Sequence, residues 1–192
     1  MDSPFRKLFT NSEHSAYFHL ENFEDDALNT PGVASSPECG ALGYPQSDSV
    51  DEDDGTIDGK GDRGRSCFSR FRTPVFVFRF DAAALGGLPT HAGVVWTDSN
   101  GPRRVDAVLE GFDPAGNSLG TLGPATVGDN TSFTGDTDED RFFGVMSMAG
   151  ISAISLKVLR TANWELDHLQ YGRYLPPADW KGGGLYPKIP PP

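Results

Sequence analysis

Apolar and polar residues alternate with a period of two along most of this chain, in short runs separated by turn residues. Such alternation sends successive side chains to opposite faces of an extended strand. The clearest run is Thr73–Phe80 (TPVFVFRF), which sets Phe76, Phe78 and Phe80 on one face and Val75, Val77 and Arg79 on the other. The same pattern predicts strands at Ala16–Glu24, His91–Thr97, Arg104–Phe112, Arg141–Met146, Ile151–Leu159 and Trp164–Tyr171. Asp81–Gly87 (DAAALGG) predicts one helical turn closed by glycine. Turn chemistry punctuates the runs: Asp98-Ser99-Asn100-Gly101-Pro102 predicts a hairpin, and Asp113-Pro114-Ala115-Gly116-Asn117 predicts another. Seven or eight short strands without a long amphipathic helix imply an all-β fold, a jelly-roll-like antiparallel β-sandwich with long acidic and Gly-rich loops.

At 192 residues the chain is long enough for one domain with a substantial core, and two full domains are not expected. Residues 1–15 are polar and aperiodic and read as an N-terminal arm, residues 16–172 as the sandwich, and residues 173–192 as an extended tail. Pro176-Pro177, Gly182-Gly183-Gly184 and Pro190-Pro191-Pro192 cannot pair inside a sheet. Trp180, Leu185, Tyr186 and Ile189 nevertheless make the tail apolar. Two readings fit: a strap packing on its own domain or on a neighbouring copy, which implies self-association, or a flexible linker.

A net charge of −11 and a pI near 4.6 exclude a nucleic-acid-binding surface, which needs clustered cations, and an anionic membrane surface. No apolar run approaches the length of a membrane span. Met1–Thr10 has no apolar signal-peptide core, so either a leader has been removed or the protein is cytosolic. The acids concentrate between Asp48 and Asp58, just before Gly59, Gly61 and Gly64. Asp51, Asp53, Asp54 and Asp58 are candidate Ca²⁺ ligands, because Ca²⁺ takes about six to eight oxygens; a solvated acidic loop is the alternative. The run fits no EF-hand, since Thr56 and Arg65 fall where ligands are required, and no phosphate-binding loop, since the spacing around Lys60 is short. Asp136, Asp138, Glu139 and Asp140, with Asp129, form a second acidic cluster that suits either a calcium site or an exposed turn. Cys39 and Cys67 bracket the acidic run. They make either a disulfide, contributing about 3–4 kcal/mol by chain entropy, or two core thiols. His19 and His168, on the first and last predicted strands, lack a third zinc ligand.

Leu20-Glu21-Asn22-Phe23-Glu24-Asp25-Asp26, DDALNTPGV and ELDHLQYG resemble the calcium-stabilised jelly rolls of secreted proteins, including many carbohydrate-binding modules. The set DSVDEDDGTIDGKG, THAGVVWTD, DEDRFFGV, GISAISL and WELDHLQYG, spread over roughly residues 17–172, resembles exported bacterial proteins of the PEP-CTERM-associated type. In that resemblance the first and last strands lie side by side, and the structural calcium falls on Glu24 or Glu21 and on Asp167. It implies a secreted or cell-surface location, although the hydrophobic anchor of that group is not seen in this chain. Trp180, Tyr44 and Tyr174 are the candidate platforms for stacking sugar rings, whereas Trp96 reads as core. The expectation is a non-catalytic, calcium-stabilised module that binds a glycan or other extracellular polymer. One alternative is a surface protein that assembles through its tail. Another is a glycan-active hydrolase or lyase using acids such as Glu110, Asp138 or Asp140, although no catalytic motif is present.

Overall fold

Alternate burial of aromatic rings organises the architecture. The computed structural model describes residues 4–10, 12–43, 64–68, 75–98, 105–127, 140–158 and 165–176. In chain order its elements are α1 (Pro4–Thr10), β1 (Ser15–Glu21), β2 (Val33–Ser36), β3 (Gly40–Gly43), β4 (Arg65–Phe68), β5 (Val75–Phe80), α2 (Ala82–Leu85), β6 (His91–Asp98), β7 (Val105–Phe112), β8 (Ser118–Val127), β9 (Arg141–Met146), β10 (Ala153–Val158) and β11 (Glu165–Tyr174). One sheet runs β3-β4-β11-β6-β9, with β1 also paired to β11; the other runs β2-β5-β10-β7-β8. Every pairing among these strands is antiparallel.

The sheets face each other across one core. Phe76, Phe78 and Phe80 of β5, Ala107 and Leu109 of β7 and Ile154, Leu156 and Val158 of β10 meet Ala92, Val94 and Trp96 of β6, Phe143 of β9 and Leu166, Leu169 and Tyr171 of β11. Trp96 has no exposed surface, in keeping with its place in an alternating run. Full burial of each such ring or aliphatic side chain contributes about 1.5–3 kcal/mol, so this layer dominates stability. Asp81 accepts hydrogen bonds from the Ala83 and Ala84 amides at the start of α2. Gly86 closes that turn at φ 69°, a conformation glycine adopts without strain.

Among the described strands, only β3–β4 and β7–β8 are consecutive pairs within one sheet. The Asp113–Asn117 turn closes the β7–β8 hairpin, where the Asp113 carboxylate accepts from the Ala115 and Asn117 amides at 2.8 Å each. The hairpin expected at Asp98–Pro102 is corrected: β6 and β7 belong to different sheets. Turn residues signal a reversal of the chain, but not whether it returns to the same sheet or crosses to the facing one.

Four strands escaped the periodicity. β2 and β4 have four residues each, and β3 is Gly-Ala-Leu-Gly; all are too short to display alternation. β8 is an edge strand exposed over residues 118–124, so burial selects no apolar face there.

The segment expected to be an aperiodic arm carries α1, whose Phe5 and Phe9 are buried. They pack outside the inter-sheet core, on the outer face of the six-stranded sheet. Phe5 and Phe9 meet the His91 ring edge-on at 5.3 and 5.2 Å, and Phe5 meets Phe142 at 5.2 Å. A Cβ at Gly172 would lie 2.8 Å from the Phe9 ring, and one at Gly144 would lie 2.9 Å from that of Phe5. Glycines thus hollow the sheet surface to receive the helix. His91 is fully buried there, and burial lowers its pKa to about 4.

Cys39 and Cys67 are joined by a disulfide with Cα atoms 5.4 Å apart, linking the chain before β3 to β4. Cys67 is part of the core.

Docking of α1 has two measurable consequences for stability. Because the unfolded His91 takes a proton near 6.5 and the folded one only near 4, its contribution is complete above 6.5 and is lost as pH falls toward 4. The loss reaches about 3 kcal/mol, and denaturant titrations at pH 7 and 4.5 will show a smaller difference for His91→Phe than for the native chain. Gly172→Ala will drive Cβ into the Phe9 ring and lower stability by about 1–3 kcal/mol, read from the urea midpoint.

Candidate functional site

The outer faces of the two sheets differ. On the six-stranded sheet, α1 and its phenylalanines bury residues that strand alternation points outward. On the five-stranded sheet the outward residues of β5, β10 and β7 line an open groove of about 490 Å³. Register explains its lining. Lys157 sits opposite Val75 and Val108, Ser155 opposite Val77 and Glu110, and Ala153 opposite Arg79 and Phe112. Three rungs therefore cross the face, with valines and Phe112 as apolar floor and Arg79, Ser155, Glu110 and Lys157 as polar points.

Arg79 and Lys157 are exposed and Glu110 is half-buried. Among the described residues, none of these three charged side chains makes an ion pair or hydrogen bond. An apolar surface with a few convergent, unengaged polar groups is the usual composition of a ligand site. Among the described residues, Glu110 is the single carboxylate in the lining.

In the sequence Glu110 is one acid among many, and Arg79 stands only as the strand face opposite three phenylalanines. Val75, Val77, Phe112, Ser155 and Lys157 were not singled out as ligand-binding residues. Their alternation was visible in the sequence, but β5, β10 and β7 are brought together only by the sheet order. Asp140 precedes β9 of the other sheet, so it does not join Glu110, and Asp138 lies outside the described residues.

Three of the residues expected to bind calcium, Glu21, Glu24 and Asp167, occupy a second region, where β1 and β4 succeed one another along β11. β1 pairs with β11 over Leu169–Tyr174, and β4 pairs with Glu165 and Leu166. Asp167 and His168 lie in the interval, where the pairing with β6 also shifts and His168 adopts φ 49°. Asp167 is fully buried; its Oδ1 accepts from the His168 amide at 2.7 Å. Glu24 accepts from the Arg65 amide at 2.8 Å. Burial raises the Glu24 pKa, and the charge of Asp167 raises it further against the lowering effect of the Arg65 amide. The fold thus brings Glu24 and Asp167 within electrostatic reach of each other.

Glu21 serves a different purpose. Its Oε1 accepts from the Phe23 amide at 3.1 Å, and its Oε2 accepts from the Asn29 and Thr30 amides at 2.9 and 3.1 Å. The carboxylate staples the loop after β1 and holds Phe23, at φ 58°, in the core. Glu24 and Asp167 supply hard oxygen donors of the kind Ca²⁺ takes. Among the described residues, no three His, Cys, Asp or Glu side chains form a metal-holding group. Among the described residues, further oxygens would come from backbone carbonyls or from water.

The remaining expected residues separate. Asp51, Asp53, Asp54, Asp58, Tyr44 and Trp180 lie outside the described residues. Tyr174 ends β11 on the six-stranded sheet, edge-on to His14 at 5.6 Å, and does not line the groove. His19 packs against Tyr17 and Tyr171, with ring centres 5.5 and 5.2 Å away.

No family model matches the chain, and no curated protein matches it. Its fold is similar to several solved structures. The C-terminal family 22 carbohydrate binding module of Clostridium thermocellum Xyn10B is 13% identical, with a TM-score of 0.45 over 85% of this chain and 96% of that one. The CBM22-1 xylan-binding domain from Paenibacillus barcinonensis Xyn10C is 11% identical, with a TM-score of 0.44 over 86% and 100%. The K2 cleaved adhesin domain of Lys-gingipain is 13% identical, with a TM-score of 0.47 over 81% and 99%.

The Glu21 staple predicts a specific mutational response. Glu21→Ala leaves three amides without their acceptor and will cost about 3 kcal/mol or more, whereas Glu21→Gln keeps one acceptor oxygen and will cost less. Chemical denaturation of both variants measures the difference.

Proposed function

We propose that this protein is a non-catalytic glycan-binding module whose binding site is the groove on the five-stranded sheet. The observation that carries the reading is the apolar floor of Val75, Val77, Val108 and Phe112 beside the unengaged side chains of Arg79, Glu110 and Lys157. The C–H face of a sugar ring packs on such a floor, while its hydroxyls need donors and acceptors at the margin. Ser155 and Glu110 supply acceptors in the middle rung, and Arg79 and Lys157 supply donors at the two ends.

Binding without hydrolysis is favoured by the donor inventory. Most glycosidases use two carboxyl groups about 5–10 Å apart across the scissile bond. Among the described residues, the groove lining contains Glu110 alone. A site on three adjacent strands is also rigid, which suits recognition because little ordering is required when the ligand arrives.

Calcium is the second part of this reading. The support is the proximity of Glu24 and Asp167, whose carboxylate oxygens are of the kind Ca²⁺ takes, although His168, with Nδ1 3.3 Å from Asp167 Oδ2, and Arg65 already stand beside them. An ion there would tie the loop after β1 to the last strand, away from the groove. Export to the cell surface or medium is the third part, supported by the Cys39–Cys67 disulfide, since such bonds persist in oxidising compartments. Among the described residues, no helix is long and apolar enough to cross a membrane.

Two measurements check the reading. Isothermal titration against a panel of neutral and acidic polysaccharides will give saturable heats without release of reducing ends, and Phe112→Ala will weaken the binding about tenfold, the loss of one packed ring. Absence of binding across the panel would refute it. Chelation will lower the unfolding midpoint, and Asp167→Asn will reduce that response; equal midpoints with EDTA and with added Ca²⁺ would remove the metal.

A further inference from the structure

The charges in and around the groove are not distributed as in the chain at large. The protein carries 27 acids against 16 Lys and Arg, yet the groove lining holds two cations and one acid among the described residues. The acids just beyond its ends are engaged by backbone. Asp81 caps α2 through the Ala83 and Ala84 amides at 2.8 and 3.3 Å. Asp113 is held within its own turn by the Asn117 side chain and by the Asn117 and Ala115 amides, and these hydrogen bonds lower its pKa. Arg79 and Lys157 have no such partner among the described residues.

Their placement is also ordered. Arg79 lies opposite Ala153 and Lys157 opposite Val75, so the two cations are four residues apart along neighbouring strands, about 13 Å. Glu110 lies in the rung between them, opposite Ser155. Arg79 also lines a second, adjoining groove of about 280 Å³ with Gly32, Val33, Ala34, Phe80 and Asp81. Arg79 therefore borders both recesses, and a ligand spanning the two would run beside it.

We infer that the groove selects an acidic glycan carrying carboxylates at intervals, with Arg79 and Lys157 as the residues that read them. This rests on the glycan-binding assignment of the groove. Arg79 offers a planar fork that matches a carboxylate, and Lys157 offers a compact point charge. Glu110 between them repels a dense polyanion and accepts hydrogen bonds from hydroxyls. Charge at the ends and hydroxyls at the centre describe a polymer in which uronate units are separated by neutral ones. The apolar floor gives the pyranose faces a surface that an acidic peptide would not use.

The test compares an alternating uronate polymer, hyaluronan, with its carboxyl-reduced form, neutral arabinoxylan and poly-glutamate, all at low and moderate salt. Hyaluronan will bind about tenfold or more tightly than its reduced form, and added salt will weaken it. Arg79→Gln and Lys157→Gln, both at exposed positions, will each weaken hyaluronan binding about tenfold and flatten its salt dependence. Equal affinity for hyaluronan and its reduced form, or tighter binding of arabinoxylan, would overturn the acidic preference while leaving the glycan site standing. Poly-glutamate binding as well as hyaluronan would replace the glycan by an acidic peptide. Binding of none of the four would overturn the groove's assignment itself.

Discussion

The pairing of the first strand with the last is the constraint on which the rest of this structure depends. β1 and β11 run antiparallel from Ser15 against Tyr174 to Glu21 against Leu169, closing the six-stranded sheet with segments from opposite ends of the domain. Closure has a large loop-entropy cost that only extensive burial can offset. The offset is local and visible: β11 is buried from Glu165 through Gly172, between the core on one face and α1 with its neighbours on the other. The Glu21 carboxylate then turns the chain out of β1 and sends Phe23 inward. Glu24 and Asp167 meet because of that same closure.

Covering one sheet determines which surface remains for binding. α1 shields the outer face of the six-stranded sheet at His91, and glycines at 144 and 172 admit its rings. Among the described residues, no equivalent element covers β5, β10 and β7, whose outward residues remain half-buried or exposed over much of the groove. The two faces have correspondingly different polar chemistry. On β11 the buried Glu165 carboxylate is committed internally, accepting from the Ser66 hydroxyl at 2.5 Å. The charged groups on the open face are uncommitted and available to a ligand.

Much of this was legible before the structure. TPVFVFRF announced a strand with a phenylalanine face, and β9 falls on Arg141–Met146 as the alternation indicated. DAAALGG contained both the cap and the glycine stop of α2. The short or edge strands β2, β3, β4 and β8 were illegible because pattern arises from burial on one face, and these strands offer too few residues or too little burial to create it. The α1 segment was misleading in the opposite sense. Phe5, Leu8 and Phe9 hold the i, i+3, i+4 spacing of a helix face, but a stripe confined to one seven-residue helix is too short a signal to announce a docking element.

The sequence by itself determined the fold class, because period-two alternation and turn chemistry are local properties of the chain. It also marked Phe76, Phe78 and Phe80 as core, and with them the identity of the opposite face bearing Val75, Val77 and Arg79. Only the tertiary structure decided that this face lies beside Ser155, Lys157 and Glu110, that β6 and β7 separate into different sheets, and that Glu21 binds amides while Glu24 approaches Asp167. The physical reason is that strand register and sheet order arise from long-range pairing. A local sequence can say which way a side chain points from its own strand, but not which strand will lie next to it.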